Sequence, residues 1–123
     1  MSMKLLLIGV GRWGRNHLKA LAQLVDELYV ADSDPNQLKT CEEFSIPPDH
    51  LSTNYLEFLD FVDGVDVVTP ADSHLAISKD CYKKGKDVFV EKPIALTSQE
   101  AKEMISMADV KGLILQVGHI YRY

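Results

Sequence analysis

The fold of this 123-residue chain is decided by the stretch Leu5-Leu6-Leu7-Ile8-Gly9-Val10-Gly11-Arg12-Trp13-Gly14. Its apolar run predicts a buried strand, and three glycines follow at G-x-G-x-x-G spacing. Gly9 allows a sharp turn, Gly11 leaves bare backbone for a pyrophosphate, and Gly14 allows a helix to pack closely on the sheet. Asp32 ends the next apolar stretch, where a carboxylate can accept hydrogen bonds from ribose hydroxyls. The pattern therefore predicts a dinucleotide-binding βαβ unit.

Strand-like and helix-like apolar periods alternate along the rest of the chain. Strands are predicted at residues 4–8, 28–31, near 51, 65–69, 88–90 and 113–117. Helix starts are predicted by three N-cap patterns, which are Asp34-Pro35, Asn54 with Glu57, and Thr97 with Glu100. The last helix is expected to bury Ala101, Met104, Ile105 and Ala108. This alternation predicts an α/β fold of the Rossmann type, a doubly wound, mainly parallel sheet with helices on both faces.

Composition excludes several classes of protein. Thirteen basic and eighteen acidic residues give a formal charge of −5, which opposes binding to nucleic acid. Cys41 and Cys81 lack C-x-x-C spacing and are expected to be reduced thiols of a cytoplasmic protein. No apolar stretch is long enough to span a bilayer, so a soluble protein is expected. Four scattered histidines without accompanying carboxylate or cysteine spacing predict no metal site.

The residues that follow the predicted strands resemble the N-terminal Rossmann domain of the Gfo/Idh/MocA family of NAD(P)-dependent oxidoreductases. The resemblance covers essentially the whole chain, and its most selective part is the triplet Glu91-Lys92-Pro93. Its other motifs are Gly9 to Gly14 with His17, Ala31 to Asp34, Thr69 to His74, and Val117 to His119 with Arg122. It implies that residues 1–118 form an NAD-binding domain. Residues 119–123 would begin the connection to a C-terminal substrate domain, whose Asp-x-x-x-His pair has no counterpart here.

The resemblance also implies a reaction and a set of site residues. Family members oxidise or reduce sugars, cyclitols and related polyols by hydride transfer. Lys92 would be the catalytic residue that contacts the substrate hydroxyl and assists proton transfer, helped by partial desolvation. The cofactor-binding residues would be Gly9, Gly11, Arg12, Trp13, Gly14, Asp32, Thr69, Pro70, His74, Glu91 and Lys92. A cis peptide before Pro93 is expected on the same ground, and His17, His74 and His119 are interpreted as helix-surface or interdomain polar residues.

NAD is the expected cofactor, and NADP is less favoured because Asp32 would repel a 2′-phosphate and no arginine follows it in Ser33-Asp34-Pro35-Asn36. Two other functions share the glycine-rich loop and the acidic ribose contact. One is a stand-alone regulatory module that senses NAD(H), and the other is a methyltransferase. The Glu91-Lys92-Pro93 triplet favours the oxidoreductase, because neither alternative needs a lysine for proton transfer. As an isolated domain, the chain is expected to bind NAD without turnover and to be a monomer or weak dimer.

Overall fold

A computed structural model describes residues 3–118, which form one six-stranded sheet in the order β3-β2-β1-β4-β5-β6 with every neighbouring pair parallel. The strands are β1 (Lys4–Ile8), β2 (Glu27–Ala31), β3 (Leu51–Ser52), β4 (Gly64–Val67), β5 (Asp87–Glu91) and β6 (Leu115–Gly118). The α-helices are α1 (Arg12–Leu24), α2 (Pro35–Lys39), α3 (His74–Lys83) and α4 (Ser98–Lys111). Short 3₁₀ helices span Thr40–Phe44, Pro48–His50, Tyr55–Phe61 and Ala71–Ser73.

The sheet separates two hydrophobic cores, because successive side chains of a strand point to opposite faces. Leu7 on β1 and Leu28 and Val30 on β2 pack with Leu18 of α1 in the smaller core. The larger core contains Leu6 of β1, Val65 and Val67 of β4, and Val88 and Val90 of β5. These side chains pack against helices α3 and α4 and the 3₁₀ helix Tyr55–Phe61. Helices therefore cover both faces, and the Rossmann-type, doubly wound prediction is confirmed.

The strand order places a cleft at the middle of the sheet. Strand β1 pairs with β2 on one side and with β4 on the other. The chain after β1 enters α1 on one face, whereas the chain after β4 enters α3 on the opposite face. These two connections diverge at the carboxyl edge, and ligands of open α/β sheets bind at such a reversal point.

Three local predictions were wrong, each for a physical reason. Ile105 is 49% exposed, because the stripe of α4 that faces the sheet consists of Met104 and Ala108. The Asn54 side chain accepts from the Leu56 N–H at 3.1 Å, but the carboxylate of Glu57 accepts from the Ser52 hydroxyl instead of closing a capping box.

The last strand begins later than predicted, because the end of α4 uses the preceding backbone. The N–H of Leu113 donates to the carbonyl of Ala108 at 2.9 Å, and Gly112 donates to Asp109. This pair of bonds is a Schellman cap, which satisfies the last carbonyls of the helix. Leu113 is therefore part of the helix terminus, and β6 starts at Leu115.

Candidate cofactor cleft and active site

The three glycines after β1 differ in what the fold itself requires of them. Gly9 has φ +97°, and a Cβ there would lie 2.7 Å from the carbonyl oxygen of Val68. A Cβ at Gly14 would lie 1.9 Å from the carbonyl oxygen of Gly9. Gly11 has an ordinary φ of −70°, and a Cβ there would meet nothing within 4 Å. The fold thus explains the first and third glycines, whereas the second leaves room that a ligand can use.

The start of α1 has the properties of an anion site. Among the described residues no side chain caps it, and its first turn contains no acidic residue. By contrast, Asp34 caps α2 and Thr97 caps α4 through side-chain oxygens. The first N–H groups of a helix carry a partial positive charge and need acceptors. At the N-terminal end of α1, next to Gly11, these N–H donors are suited to bind a diphosphate.

Asp32 lies directly after β2 with a fixed carboxylate. One oxygen, Oδ2, accepts from the Val10 N–H at 2.8 Å, and the other, Oδ1, accepts from the Asp34 N–H at 2.8 Å. Each carboxylate oxygen has a second lone pair, so further acceptor capacity remains for ribose hydroxyls. Asp32 lines a cavity of about 540 Å³ whose other walls include Gly9, Gly11, Asn54, Thr69 and Pro70.

A second cavity, of about 310 Å³, adjoins the first one. It shares Gly11, Thr69 and Pro70 with the first cavity, and it extends to Arg12, Trp13, Gly14, His74, Glu91 and Lys92. We call these the Asp32 cavity and the Lys92 cavity. Every residue predicted to bind the cofactor lines one or both of them. The structure therefore brings the predicted site together, while the binding role of each residue stays a prediction.

Lys92 itself is exposed and immediately precedes Pro93, to which it is joined by a cis peptide bond, as the resemblance implied. The residues that the structure describes therefore do not provide the partial desolvation that was expected for this amine. Glu91 is the last residue of β5 and Lys92 begins the turn after it. The edge of the sheet thus places the lysine at the mouth of the Lys92 cavity.

His74 was interpreted as a surface or interdomain residue, and this interpretation is wrong because only 1% of its surface is exposed. Its Nε2 lies 2.8 Å from the carbonyl oxygen of Thr69, and its Nδ1 lies 2.9 Å from that of Ile94. Thr69 belongs to the connection after β4 and Ile94 to the connection after β5. The histidine thus ties together two of the loops that border the Lys92 cavity.

His17 was interpreted in the same way, and here too the interpretation is wrong, because its side chain is fully buried. Its Nδ1 lies 2.6 Å from Oδ2 of Asp66, and its Nε2 lies 2.7 Å from Oε2 of Glu91. Asp66 was overlooked because it sits in the apolar run of β4. A carboxylate inside a central strand almost always has a charged or hydrogen-bonding partner, and this signal could have identified it.

Two opposing effects act on the pKa of His17. Burial lowers the pKa, but the hydrogen bonds and charges of Asp66 and Glu91 outweigh it, so the pKa is raised above its usual value. Burial raises the pKa of Asp66, and the hydrogen bond and charge of His17 only partly offset that effect. The pKa values of His17 and Asp66 are thus both raised, so each of these groups binds a proton more tightly in the cluster than it would in water.

The described residues form neither a membrane-spanning helix nor a metal site. Over residues 3–118, no helix is long and apolar enough to cross a membrane. Over the same span, no three His, Cys, Asp or Glu side chains are arranged to hold a metal ion. Cys41 and Cys81 are free thiols and are fully buried. The predictions for His119, for Arg122 and for residues 119–123 lie outside the described residues.

Comparison with known proteins supports the geometry. The model of an oxidoreductase family with an NAD-binding Rossmann fold, Gfo/Idh/MocA, matches residues 3–119. UDP-N-acetylglucosamine 3-dehydrogenase of Acidithiobacillus ferrooxidans is 32% identical over 116 residues, which cover 94% of this chain and 36% of that protein. The scyllo-inositol 2-dehydrogenase (NAD(+)) of Bacillus subtilis is 31% identical over 123 residues, which cover 95% of this chain and 35% of that protein.

A solved structure of GenD2 from gentamicin A biosynthesis in complex with NAD superposes with a TM-score of 0.85 at 29% identity, over 95% of this chain and 34% of that one. The chain therefore spans little more than a third of the length of these relatives. The family match, the parallel sheet and the glycine-rich turn at its centre agree with one another. The chain belongs to the Gfo/Idh/MocA family of oxidoreductases and forms its NAD-binding Rossmann fold.

Proposed function

We propose that this chain is the nucleotide-binding domain of an NAD-dependent oxidoreductase that acts on a sugar, a cyclitol or a related polyol by hydride transfer. The observation that carries the proposal is the pair of adjoining cavities, which meet at Gly11 and end at Asp32 and Lys92. Asp32 would hold the ribose hydroxyls, the start of α1 the diphosphate, and the Lys92 cavity the nicotinamide. A stand-alone sensor of NAD(H) would occupy the same two cavities, and the oxidoreductase is favoured over it because a sensor has no need of Lys92 for proton transfer.

NAD is proposed over NADP on the basis of charge. The Asp32 carboxylate faces the Asp32 cavity together with Ser33 and Asp34, and the described residues that line this cavity include no basic side chain. A 2′-phosphate would add negative charge beside these carboxylates. Hydrogen bonds to a charged group contribute roughly 1.5–3 kcal/mol, so a preference of about tenfold to a hundredfold is expected.

In this proposal Lys92 accepts the proton that the substrate hydroxyl loses. NAD supplies the acceptor for the hydride that leaves the alcohol carbon. The hydroxyl proton must also leave, and Lys92 would accept it as the neutral amine, a form that desolvation by a bound substrate would favour. Lys92 lies at the mouth of its cavity, where an alcohol that enters from solvent would meet it. Because its partner would be the substrate, Lys92 would contribute little to the affinity for NAD.

We further propose that the 123-residue chain binds NAD but does not turn over a polyol. Lys92 is exposed, so the described residues hold no substrate against it. Correct orientation of reacting groups lowers a barrier by roughly 7–11 kcal/mol. A single wall of a pocket provides little of that orientation. On the same reasoning the chain would be a monomer or weak dimer, and a tight tetramer at micromolar concentration in sedimentation would contradict this part.

The test is calorimetric titration of the chain with NAD, alongside an assay of NADH formation with a panel of sugars and polyols. We expect saturable binding, no NADH, and an affinity in Lys92→Ala that stays within about threefold of the wild type. Lys102→Ala on α4 is the matched control, because it removes an equally charged side chain that lines neither cavity. NADH formation by the chain would disprove the lack of turnover, and loss of NAD binding in Lys92→Ala alone would make Lys92 a cofactor ligand. No binding of NAD to the wild type would overturn the proposed function.

A further inference from the structure

His17, Asp66 and Glu91 form a cluster of three side chains. This cluster carries one proton more than one neutral imidazole and two ionised carboxylates would carry together. Both ring nitrogens of His17 lie within 2.7 Å of a carboxylate oxygen. An ionised carboxylate only accepts hydrogen bonds, and a neutral imidazole has a single N–H. Two such short contacts therefore require an additional proton. Imidazole is intrinsically more basic than a carboxylate, which places that proton on the ring.

This cluster connects three elements that build the Lys92 cavity. His17 is on α1, one turn after Gly14 of the cofactor-binding loop. Asp66 is inside β4, and Glu91 ends β5 directly before Lys92. The side chain of Asp66 is 7% exposed and that of Glu91 is 21% exposed, so the network runs from the protein interior to the wall of the cavity.

Stability alone gives a poor reason for this arrangement. Buried ion pairs are often no more stabilising than apolar residues of similar volume. Here, among the described residues, Oδ1 of Asp66 is buried without a hydrogen-bond partner, which adds a desolvation cost. The neighbouring position Leu18 shows that an apolar side chain can fill this face of α1. The polar network therefore points to a role in the cleft.

We propose that His17, as an imidazolium held between Asp66 and Glu91, is a positioning residue for the nicotinamide end of the cleft. It holds the carboxylate of Glu91, and through it the start of the Lys92 turn, at a fixed place relative to the beginning of α1. The inference rests on the proposed function, because it assumes that the nicotinamide occupies the Lys92 cavity.

The test separates the two ends of the cleft by comparing NAD with ADP-ribose, which lacks the nicotinamide. His17→Gln and Glu91→Gln should each weaken NAD binding by about fivefold or more and leave ADP-ribose binding within about twofold. Glu91→Gln leaves the buried contact between His17 and Asp66 in place, so it serves if His17→Gln does not fold. His50→Gln is the control, because His50 also hydrogen-bonds through its ring, to the carbonyl oxygen of Leu28, away from both cavities.

A second measurement needs no variant. Nitrogen NMR of ¹⁵N-histidine-labelled wild type at about pH 7 should show both ring nitrogens of His17 protonated, although free histidine is mostly neutral there. A neutral His17 ring would overturn the inference. Equal weakening of NAD and ADP-ribose, or no weakening of either in both variants, would also overturn it and leave the proposed function intact. Failure of the wild type to bind either ligand would overturn both.

Discussion

Replacing Gly11 with alanine should separate cofactor binding from folding. The residue has φ −70°, which any amino acid can adopt, and a Cβ there would meet no atom within 4 Å. The free energy of unfolding should therefore change by no more than about 1 kcal/mol, because alanine restricts the unfolded chain but is a poorer N-cap than glycine. In the cleft, however, the methyl group would stand where the diphosphate approaches the first N–H groups of α1. Loss of one such charge-assisted bond costs roughly 1.5–3 kcal/mol, so NAD affinity should fall about tenfold to a hundredfold.

The assay pairs urea denaturation, followed by circular dichroism, with calorimetric titration of NAD. Two other glycines serve as controls, and replacing either of them is expected to lower stability. Gly85 also has open space for a Cβ, but its φ is +73° and it lies at the end of α3, outside both cavities. Gly85→Ala should lose about 1 kcal/mol of stability and keep its affinity for NAD. Gly14→Ala should be severely destabilised, because its Cβ would lie 1.9 Å from a carbonyl oxygen.

A Gly11→Ala variant that folds normally and binds NAD within twofold of the wild type, about 0.4 kcal/mol, would contradict this prediction. Such a result would mean that the diphosphate does not pass this residue. A large loss of stability in the same variant would instead show that the fold itself needs a glycine at position 11.

Three more results are expected. NAD should bind about tenfold to a hundredfold more tightly than NADP because of Asp32, and calorimetry that gives equal or tighter binding of NADP would contradict this. Trp13 lines the Lys92 cavity and is 56% exposed, so its fluorescence should change saturably with NAD, and the absence of any change would argue against the placement of the nicotinamide. The raised pKa of His17 means that its stabilising effect is complete below the usual histidine pKa of 6.5 and is lost as pH rises through the raised value. Wild type should consequently lose more stability than His17→Gln as the pH rises above about 6.5 in urea denaturation, and an equal loss in both proteins would contradict this expectation.

Features that depend on neighbours in the sequence could be predicted well. The N-cap roles of Asp34 and Thr97 need only the next two or three residues, and the structure confirms both of them. The glycine-rich turn was equally accessible, because the steric reason for Gly9 and Gly14 lies within the βαβ unit. The capping role of Glu57 was not, because the Ser52 hydroxyl, which lies outside the cap, competes for its carboxylate.

Features that depend on distant partners could not be predicted in this way. His17 meets Asp66 across 49 residues of sequence and Glu91 across 74. Nothing near His17 in the sequence distinguishes a buried histidine from one on the helix surface. His74 poses the same problem, because one of its two carbonyl partners, Ile94, lies 20 residues away. The partners of both histidines follow only from the strand order, which places β4 and β5 beside each other.

The unequal size of the two cores has a consequence for how the protein opens. Helix α1 rests on the smaller core, and Leu21 and Ala22 are only partly buried there, while Leu24 is 77% exposed. Brief local unfolding should therefore release α1 more readily than α3, and its amide hydrogens should exchange with solvent sooner. NAD at a hundred times its dissociation constant would stabilise the closed form by about 2.7 kcal/mol. Because the diphosphate would sit on the first turn of α1, the slowing of exchange should be greatest along that helix. Bound NAD would then stabilise the helix that rests on the smaller core.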